Sequence, residues 1–535
     1  MSTPELTFRS GDLEVTVGPS GFPVRVGSAD GRQEFLRPQR EPGRMIIDGE
    51  PQRWDFAGLI TDVDETEARY AAADRPELEY TIRNTFAGRW LQRHMLTNTS
   101  SGPVTIDDLI LELEPGAGCV GWTWAASAET SWAVQPADGS GPVLAGELTQ
   151  GALSGRRESG GFRTGGMLLP AGRRLVLQWQ IDLVGRPAVV AGRSLPSQPT
   201  ELAVNEPYLV EDPDVAVLVE DPVAVRAEDS GQSVISPRPG RYPIELRSAR
   251  GTNRIDLSWV PAADDLVGGL SEHWLRGDRS SAGVALLPGG GAGLAVQQAF
   301  IARFGDTGTD VEDTLAVHTA RLLDQPDLSI MDLAFLAQET VRTGDRDPLR
   351  AATTALLDLT GPVAGLGLAA TRLCLAELTA GGDPSAVLRR LRELTDRLDA
   401  PGVQAGSDHL LGAAVALEMI TVTGPPGGGA TATVLPYALA VGAELGAGLP
   451  GHRLGRIRPS VAVYAAAVLD LLPEALGPEL EEHWAASPHQ LAQRTRNAAL
   501  AEVLWPQRDA SEPDGPDEVE LSEVVGWLVL GRPVE

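Results

Sequence analysis

Three tryptophans stand close together in a chain that has few aromatic residues. Trp122, Trp124 and Trp132 fall within eleven positions, whereas aromatic residues make up only 5% of the 535 residues. In a strand, Trp122 and Trp124 point to the same face, because side chains alternate with a period of two. Such a face can stack on a sugar ring or wall a hydrophobic core. Core packing is the favoured interpretation for at least one of the pair. Polar residues nearby could orient a ligand: Glu129, Gln135 and Asp138.

A second group of residues able to do chemistry follows the last predicted strand. The segment GGLSEHWLRGDRSSAG, residues 268–283, concentrates acidic, basic, imidazole and aromatic side chains: Glu272, His273, Trp274, Arg276, Asp278 and Arg279. Small-molecule sites are favoured where domains meet. We predict Glu272 or Asp278 as an acid or base. We predict His273 and Trp274 as ligand contacts, with Arg276 orienting the ligand. The alternative is a solvated connector with internal ion pairs.

Two other histidines are interpreted as structural. His409 follows Asp408 at a predicted helix start, where aspartate is most often the N-cap residue. The alternative is that His409 acts as a general base. His94 lies between Arg93 and Met95 in a predicted strand, and a satisfied structural histidine is the favoured interpretation there.

Several kinds of catalytic centre are excluded by composition and motif. The chain contains no lysine, so all 44 basic residues are arginine, as is typical of a GC-rich, actinobacterial-type genome. Schiff-base chemistry and a phosphate-loop lysine are therefore excluded. The sequence also contains no His-Glu-x-x-His helix, Cys-x-x-Cys pair or Gly-x-Ser-x-Gly elbow. We expect no metal and no cofactor.

The charge of the chain restricts its partners. A formal net charge of −29 disfavours nucleic acid and anionic membrane surfaces, because both need clustered cations. The N-terminal sequence MSTPELTF is not typical of a secretory signal, and the two cysteines fall in different predicted domains. We therefore expect a cytoplasmic protein whose partner is a neutral carbohydrate or another protein. The oligomeric state is left open.

Hydrophobic periodicity divides the chain into two halves. Alternating segments such as LEVTV, LEYTIRNTF and WLQRHMLTNT predict antiparallel strands through roughly the first three hundred residues. From Thr309 the period changes to that of amphipathic helices, and Ser329 with Asp332 has the spacing of a capping box. Short connections predict antiparallel helical hairpins. The predicted fold class is thus a multidomain protein with N-terminal antiparallel β-sandwich domains and a C-terminal all-α helical-hairpin domain.

Four parts are predicted along the chain. Residues 1–197 form a supersandwich-like β-sandwich, and residues 198–305 form a second, smaller β-sandwich and linker. Residues 306–505 form the helical domain, and residues 506–535 form an acidic linker with an apolar end. The apolar LSEVVGWLVL is expected to dock on this protein's own surface, with docking on a protein partner as the alternative.

The order of these parts resembles a group of carbohydrate-active proteins. In that group a galactose-mutarotase-like β-supersandwich precedes an α-helical, toroid-like domain, as in glucoamylase-like hydrolases and disaccharide phosphorylases. The phrases RHMLTNTSSGPVTIDDLILEL and LLPAGRRLVLQWQIDL resemble strand and turn phrases of such sandwiches. The resemblance implies a carbohydrate ligand near the junction of the halves, processed by a glycoside hydrolase or phosphorylase. It matches no catalytic carboxylate pair residue by residue. The alternative function is a non-enzymatic interaction scaffold with a docking C-terminal tail.

Overall fold

The computed structural model describes most of the chain. The described residues are 5–39, 41–155, 161–191, 198–229, 231–248, 251–268, 309–325, 327–398, 405–424, 431–449, 451–505 and 518–532. The predicted fold class is confirmed, because β-sheets occupy Leu6–Val260 and α-helices follow from Thr309. The junction residues predicted to act on a ligand lie outside the described ranges, and their roles stay predictions: Glu272, His273, Trp274, Arg276 and Asp278.

A large twisted sheet forms the body of the first half. Within the described ranges it has fourteen strands, and their pairing is antiparallel. Its strands are β5 (Arg44–Ile47), β6 (Glu50–Gln52), β7 (Trp54–Asp62), β8 (Glu65–Ala72), β9 (Arg75–Thr85), β10 (Trp90–Asn98), β12 (Asp108–Leu111), β13 (Cys119–Ser127), β14 (Glu129–Pro136), β15 (Val143–Gln150), β16 (Leu153–Gly155), β17 (Phe162–Arg163), β19 (Arg174–Val184) and β27 (His452–Arg453). Strand β10 shows why the sequence forms such a sheet: its residues alternate strictly between buried and half-buried.

A four-stranded sheet packs on the large sheet and closes its core. It contains β1 (Leu6–Ser10), β2 (Leu13–Val17), β3 (Pro23–Ser28) and β4 (Glu34–Leu36). Apolar side chains of these strands share one core with the large sheet, for example Val15 and Phe35 with Tyr80 and Trp179. A short ladder of β11 (Val104–Ile106) and β18 (Met167–Leu169) adds to it. One face of the large sheet is therefore covered by a second β layer.

Two small sheets and a separate core follow helix α1 (Pro187–Ala191). Their strands are β20 (Glu201–Ala203), β21 (Tyr208–Val210), β22 (Ala216–Leu218), β23 (Ala224–Glu228), β24 (Gly231–Ile235), β25 (Gly240–Ser248) and β26 (Gly251–Val260). Strand β20 runs parallel to β26, and the other pairs are antiparallel. The core around Trp259 also takes in Trp124 of β13, so the small sheets pack on the opposite face of the large sheet.

The second half is a stack of helices. Within the described residues up to Leu504 these are α2 (Thr309–Leu323), α3 (Ile330–Thr343), α4 (Asp347–Asp358), α5 (Leu366–Thr379), α6 (Ser385–Thr395), α7 (Ser407–Thr423), α8 (Thr431–Glu444), α9 (Pro459–Leu469), α10 (Gly477–Trp484) and α11 (Pro488–Leu504). The predicted capping box is confirmed, since Ser329 and Asp332 exchange hydrogen bonds at the start of α3. Among the described residues, no single helix has the length and apolarity needed to cross a membrane. The pair formed by α9 and Glu474–Trp484 meets that test only together, with a bend of 97°.

A buried carboxylate satisfies the start of α5. Glu418 of α7 accepts hydrogen bonds from the backbone N–H groups of Gly365 (2.9 Å) and Leu368 (2.7 Å), and from the Tyr464 hydroxyl (2.5 Å). These N–H groups have no partner within their own helix, so the carboxylate replaces a capping side chain. Burial raises the pKa of Glu418 to about 7. This group is part of the helical core.

The C-terminal apolar segment packs on the protein's own helical half. It forms α12 (Glu518–Leu530), whose Val524 and Val525 are fully buried beside Val463 of α9. Its Trp527 ring lies 4.7 Å from the ring of Tyr464. The buried guanidinium of Arg372 donates to the carbonyl of Val529 at 3.1 Å, near the end of the helix. The apolar face predicted to dock is thus occupied within this chain.

Candidate functional site

A cavity of about 670 Å³ lies between the large sheet and the β3–β4 side of the four-stranded sheet formed by β1 to β4. Its floor is the covered face of the large sheet, and its lip is formed by residues 37–39, 41–44 and 111–114. Side chains from β10, β14, β17 and β19 border it: Trp90, Gln92, His94, Trp132, Phe162, Trp179 and Ile181. A cavity of this size, with aromatic rings on its floor and polar groups on its floor and lip, is typical of a small-molecule site.

Strand register sets the floor in rows. Trp90 of β10 lies opposite Ile181 of β19, Ile181 lies opposite Gly146 of β15, and Gly146 lies opposite Trp132 of β14. Gly146 is required there, because a Cβ atom at that position would lie 2.2 Å from the Trp132 ring. The glycine therefore lets the indole lie flat across the sheet.

The next row carries the polar groups of the floor. Trp179, Gln92, Asn84 and Thr66 follow one another across β19, β10, β9 and β8. His94 lies two residues after Gln92, on the same face of β10. All five side chains are buried, and Gln92, His94 and Trp179 border the cavity.

These polar side chains form one continuous network. The Tyr80 hydroxyl lies 2.9 Å from His94 Nδ1, and His94 Nε2 lies 3.1 Å from Gln92 Oε1. The Gln92 amide donates to Asn84 Oδ1 at 3.3 Å, and the Trp90 indole N–H donates to the same oxygen at 3.0 Å. Asn84 donates in turn to Thr66 at 3.3 Å. No member of this network is a carboxylate, a guanidinium or an ammonium group.

Burial keeps the network uncharged. It lowers the pKa of His94 to about 4, because removal from water disfavours the imidazolium. It also raises the pKa of the Tyr80 hydroxyl above its ordinary value. At neutral pH the floor therefore offers neutral donors and acceptors between indole rings.

The lip carries charges of both signs. Arg37, Arg44, Glu41, Glu112 and Glu114 border the cavity and are exposed. Arg44 and Glu112 lie 3.9 Å apart, and both side chains are about half exposed. The Trp54 indole donates to the carbonyl of Gly43 at 2.7 Å, which ties the lip to strand β7. The lip is thus held in place but has no strong excess of either charge.

The three clustered tryptophans separate between two faces of the sheet. Trp122 and Trp124 share a face, as predicted, and both pack against the core of the small sheets. Trp132, opposite Thr123 in the register, lies on the other face and borders the cavity. Glu129 and Asp138 are exposed at the two ends of β14 rather than grouped around the indoles. Of the three tryptophans predicted to stack on a ligand, only Trp132 borders the cavity.

The described part of the junction between the halves is closely packed around Trp122. The Trp122 indole and the Gln135 amide both donate to the carbonyl of Ala443, at 3.3 and 3.2 Å. Gly446, with φ of 89°, passes so close that a Cβ atom would lie 2.9 Å from the Trp122 ring. Strand β27, from the helical half, pairs with Trp122 and Thr123 of β13. Trp122 is therefore a junction residue.

A charged network fixes the same junction. Glu444, at the end of α8, is fully buried and accepts from Gly406 N–H at 2.9 Å and from Arg453 Nη2 at 2.5 Å. His409 Nδ1 lies 3.0 Å from the same carboxylate. Asp408 is exposed beside it. His409 thus joins helices α7 and α8. The helix cap predicted at Asp408 is wrong, because Gly406 is the N-cap residue of α7 and no side chain caps that helix.

Sequence reasoning did not identify the cavity. Both ring nitrogens of His94 are bonded, as expected of a satisfied structural histidine, yet its side chain borders the cavity. The available signal was the alternation Trp90-x-Gln92-x-His94, which places an indole, an amide and an imidazole on one face of a strand. Among the described residues, no group of three or more His, Cys, Asp or Glu side chains is placed to hold a metal ion.

Comparison with solved structures identifies the fold. A polysaccharide lyase aligns over 97% of this chain and 99% of its own, with a TM-score of 0.69 and 11% sequence identity. The two proteins share a fold, with a β half followed by a helical half. This neighbour is neither a glucoamylase-like hydrolase nor a disaccharide phosphorylase.

Other similarities are weak. A heparan sulfate lyase from Pedobacter heparinus matches over 48% of this chain and 41% of its own, with 8% identity and a TM-score of 0.23. An α2-macroglobulin from E. coli matches over 92% of this chain and 43% of its own, with 11% identity and a TM-score of 0.24. TM-scores this low do not establish a common fold. No family model and no curated protein sequence matches this chain.

Proposed function

We propose that this protein binds a neutral carbohydrate in the cavity of the large sheet and processes it. The observation that carries the proposal is the floor itself, where three indoles and a neutral amide–imidazole network border a cavity of about 670 Å³. Indole faces bind the apolar face of a sugar ring, and a few polar groups set its orientation. The fold shared with a polysaccharide lyase supports the same class of ligand.

Charge favours an uncharged sugar over an acidic one. The chain carries a net charge of −29, and the polar floor residues Gln92 and His94 are neutral at pH 7. A carboxylate bound on the floor would lose its hydration without gaining a cation there, and such burial is costly.

Hydrolysis of a glycosidic bond is the reaction that we propose. Glycoside hydrolases use a pair of carboxylates on either side of the bond. Three glutamates border the lip of this cavity: Glu41, Glu112 and Glu114. The His94 nitrogens are both engaged, which leaves the lip carboxylates as the better candidates for acid and base. The ligand site at the β/α junction, with Glu272 and Asp278, stays the competing prediction.

The first experiment is a thermal-shift screen of the full chain with maltotetraose, cellotetraose, xylotetraose, mannotetraose and the acidic tetragalacturonate. A ligand at one hundred times its Kd adds about 2.7 kcal/mol of stability. We expect a shift with a neutral sugar that is lost in Trp132→Ala and kept in Trp274→Ala. A shift lost only in Trp274→Ala would instead place the ligand at the junction. No shift with any sugar would contradict the proposal and favour the interaction scaffold.

Product analysis then separates the possible reactions. Hydrolysis releases reducing ends without ultraviolet-absorbing products, whereas a lyase releases an unsaturated sugar that absorbs. We expect reducing ends alone, and their loss in Glu41→Gln, Glu112→Gln or Glu114→Gln. A cytoplasmic location stays a proposal from the sequence, and cell fractionation tests it.

A further inference from the structure

The hydrogen-bond network under the cavity has one group that can only donate. An indole N–H carries no acceptor, so the Trp90 side chain must face an oxygen atom. Its partner at 3.0 Å is the side-chain amide of Asn84, which must therefore present Oδ1. Amides and imidazoles can otherwise be reversed without moving their heavy atoms. Trp90 thus fixes the donor-to-acceptor direction of the hydrogen-bond network, which the amide and imidazole groups alone do not fix.

The orientation of Asn84 determines the orientation of each following side chain in the network. Because Asn84 presents Oδ1, the nearby end of Gln92 must be its NH₂ group, at 3.3 Å. The other end of the amide, Oε1, then faces His94 Nε2 at 3.1 Å, so this nitrogen must carry the imidazole proton. His94 Nδ1 is left as an acceptor for the Tyr80 hydroxyl at 2.9 Å.

We propose that Trp90, acting through Asn84, orients the Gln92 amide so that Gln92 reads a hydroxyl group of the bound sugar. This inference rests on the proposed carbohydrate site. Gln92 has two N–H donors and two acceptor positions. Its bonds within the described residues use one donor and one acceptor position, and its side chain borders the cavity. One N–H and one lone pair are left for a ligand.

A sugar hydroxyl matches this pair of groups, since a hydroxyl both accepts and donates. A carboxylate can only accept, so it would place an anionic oxygen beside the unused lone pair of Gln92. An ammonium group can only donate and would leave the N–H unused. Gln92 is therefore the specificity-determining residue, and Trp90, Asn84, His94 and Tyr80 are positioning residues.

The first arm of the test measures the direction without any ligand. Histidine-selective ¹⁵N labelling of the full chain makes the seven imidazoles visible, and His94→Gln assigns the signal of residue 94. We expect the wild-type His94 proton on Nε2. Trp90→Phe keeps an aromatic wall but removes the indole N–H, and we expect it to give a mixture of tautomers. Trp179→Phe, the matched control on the same floor, should leave the tautomer unchanged. A proton on Nδ1 in the wild type, or an unchanged tautomer in Trp90→Phe, would overturn the inference.

The second arm measures binding by calorimetry with the tetrasaccharides named above. Gln92→Met keeps the length of the side chain but removes its polar groups, and we expect about tenfold weaker binding of the neutral sugar, as for one or two lost hydrogen bonds. If Gln92→Met binds within twofold of wild type while Trp132→Ala does not bind, the role of Gln92 is wrong and the carbohydrate site stands. If wild type binds no sugar, the site itself fails, and the role of Gln92 with it.

Discussion

The cavity floor and the domain junction each bury a histidine, but they surround it with different chemistry. His94 has a tyrosine and a glutamine as partners and borders open space. His409 has the carboxylate of Glu444, which Arg453 also binds, and both His409 and Glu444 are buried. A neutral network can share hydrogen bonds with a ligand without a counter-ion. A closed network of charges has its bonds already occupied, and removing one partner leaves the others unpaired.

The largest effect should come from opening the charged network. Glu444→Ala would leave the Arg453 side chain, which is only 11% exposed, without its carboxylate. We expect a loss of about 3–5 kcal/mol in the free energy of unfolding, measured in urea. Glu482→Ala is the control, because it breaks an exposed ion pair with Arg186 across the same junction. Equal stability of the two variants would show that the junction does not depend on its buried charges.

The two faces of the large sheet can be compared with two tryptophan variants. Trp132→Ala should cost about 3–5 kcal/mol of stability and also abolish sugar binding, since Trp132 is buried in the core and borders the cavity. Trp122→Ala should cost about 2 kcal/mol, because Trp122 is half-buried at the junction, and should leave sugar binding intact. Urea unfolding and calorimetry measure the two quantities. Loss of binding in Trp122→Ala would contradict the separation of the faces.

A pH titration tests whether the floor is neutral. The pKa of His94 is about 4 in the folded protein against 6.5 for an ordinary histidine. The unfolded chain therefore binds the proton more readily, so this group lowers stability as pH falls from 6.5 towards 4. The loss should reach about 3 kcal/mol. Relative to His94→Gln, wild type should lose this much extra stability in urea unfolding over that range. Parallel curves for the two proteins would mean that His94 is not buried as a neutral group.

The smallest effect is expected at the lip of the cavity. Arg44→Ala breaks the half-exposed pair with Glu112 and should change the free energy of unfolding by less than about 1 kcal/mol. Affinity for a neutral sugar should change by less than about threefold, because exposed rim charges contribute little. A tenfold loss in calorimetry would instead assign Arg44 a direct role in recognition.

Local pattern was enough to predict the order of the halves and several of their details. Alternation gave the shared face of Trp122 and Trp124, and residue spacing gave the capping box of Ser329 and Asp332. Both depend on neighbours within a few residues. The apolar C-terminal segment was also expected to dock on the chain itself, and α12 does so.

The cavity could not be predicted in the same way, because its floor is set by strand register. Trp132, Ile181 and Trp90 meet only because β14, β15, β19 and β10 pair with particular offsets. A slip of one residue in any of these strands would turn its side chains to the other face. The sequence contains the three residues, but their common row follows from long-range pairing.

Strand β27 restricts how the two halves of this chain can be exchanged by recombination. Two residues of the helical half, His452 and Arg453, complete the edge of β13 where β16 has ended, and Leu454 N–H donates to the carbonyl of Gly121 at 2.7 Å. A β half recombined with an unrelated helical partner would leave this edge and the Trp122 ring uncovered. Gene fusion or exchange at the boundary therefore has to carry the 451–454 loop and its β13 edge together. The two halves would then diverge as one lineage and not as exchangeable parts.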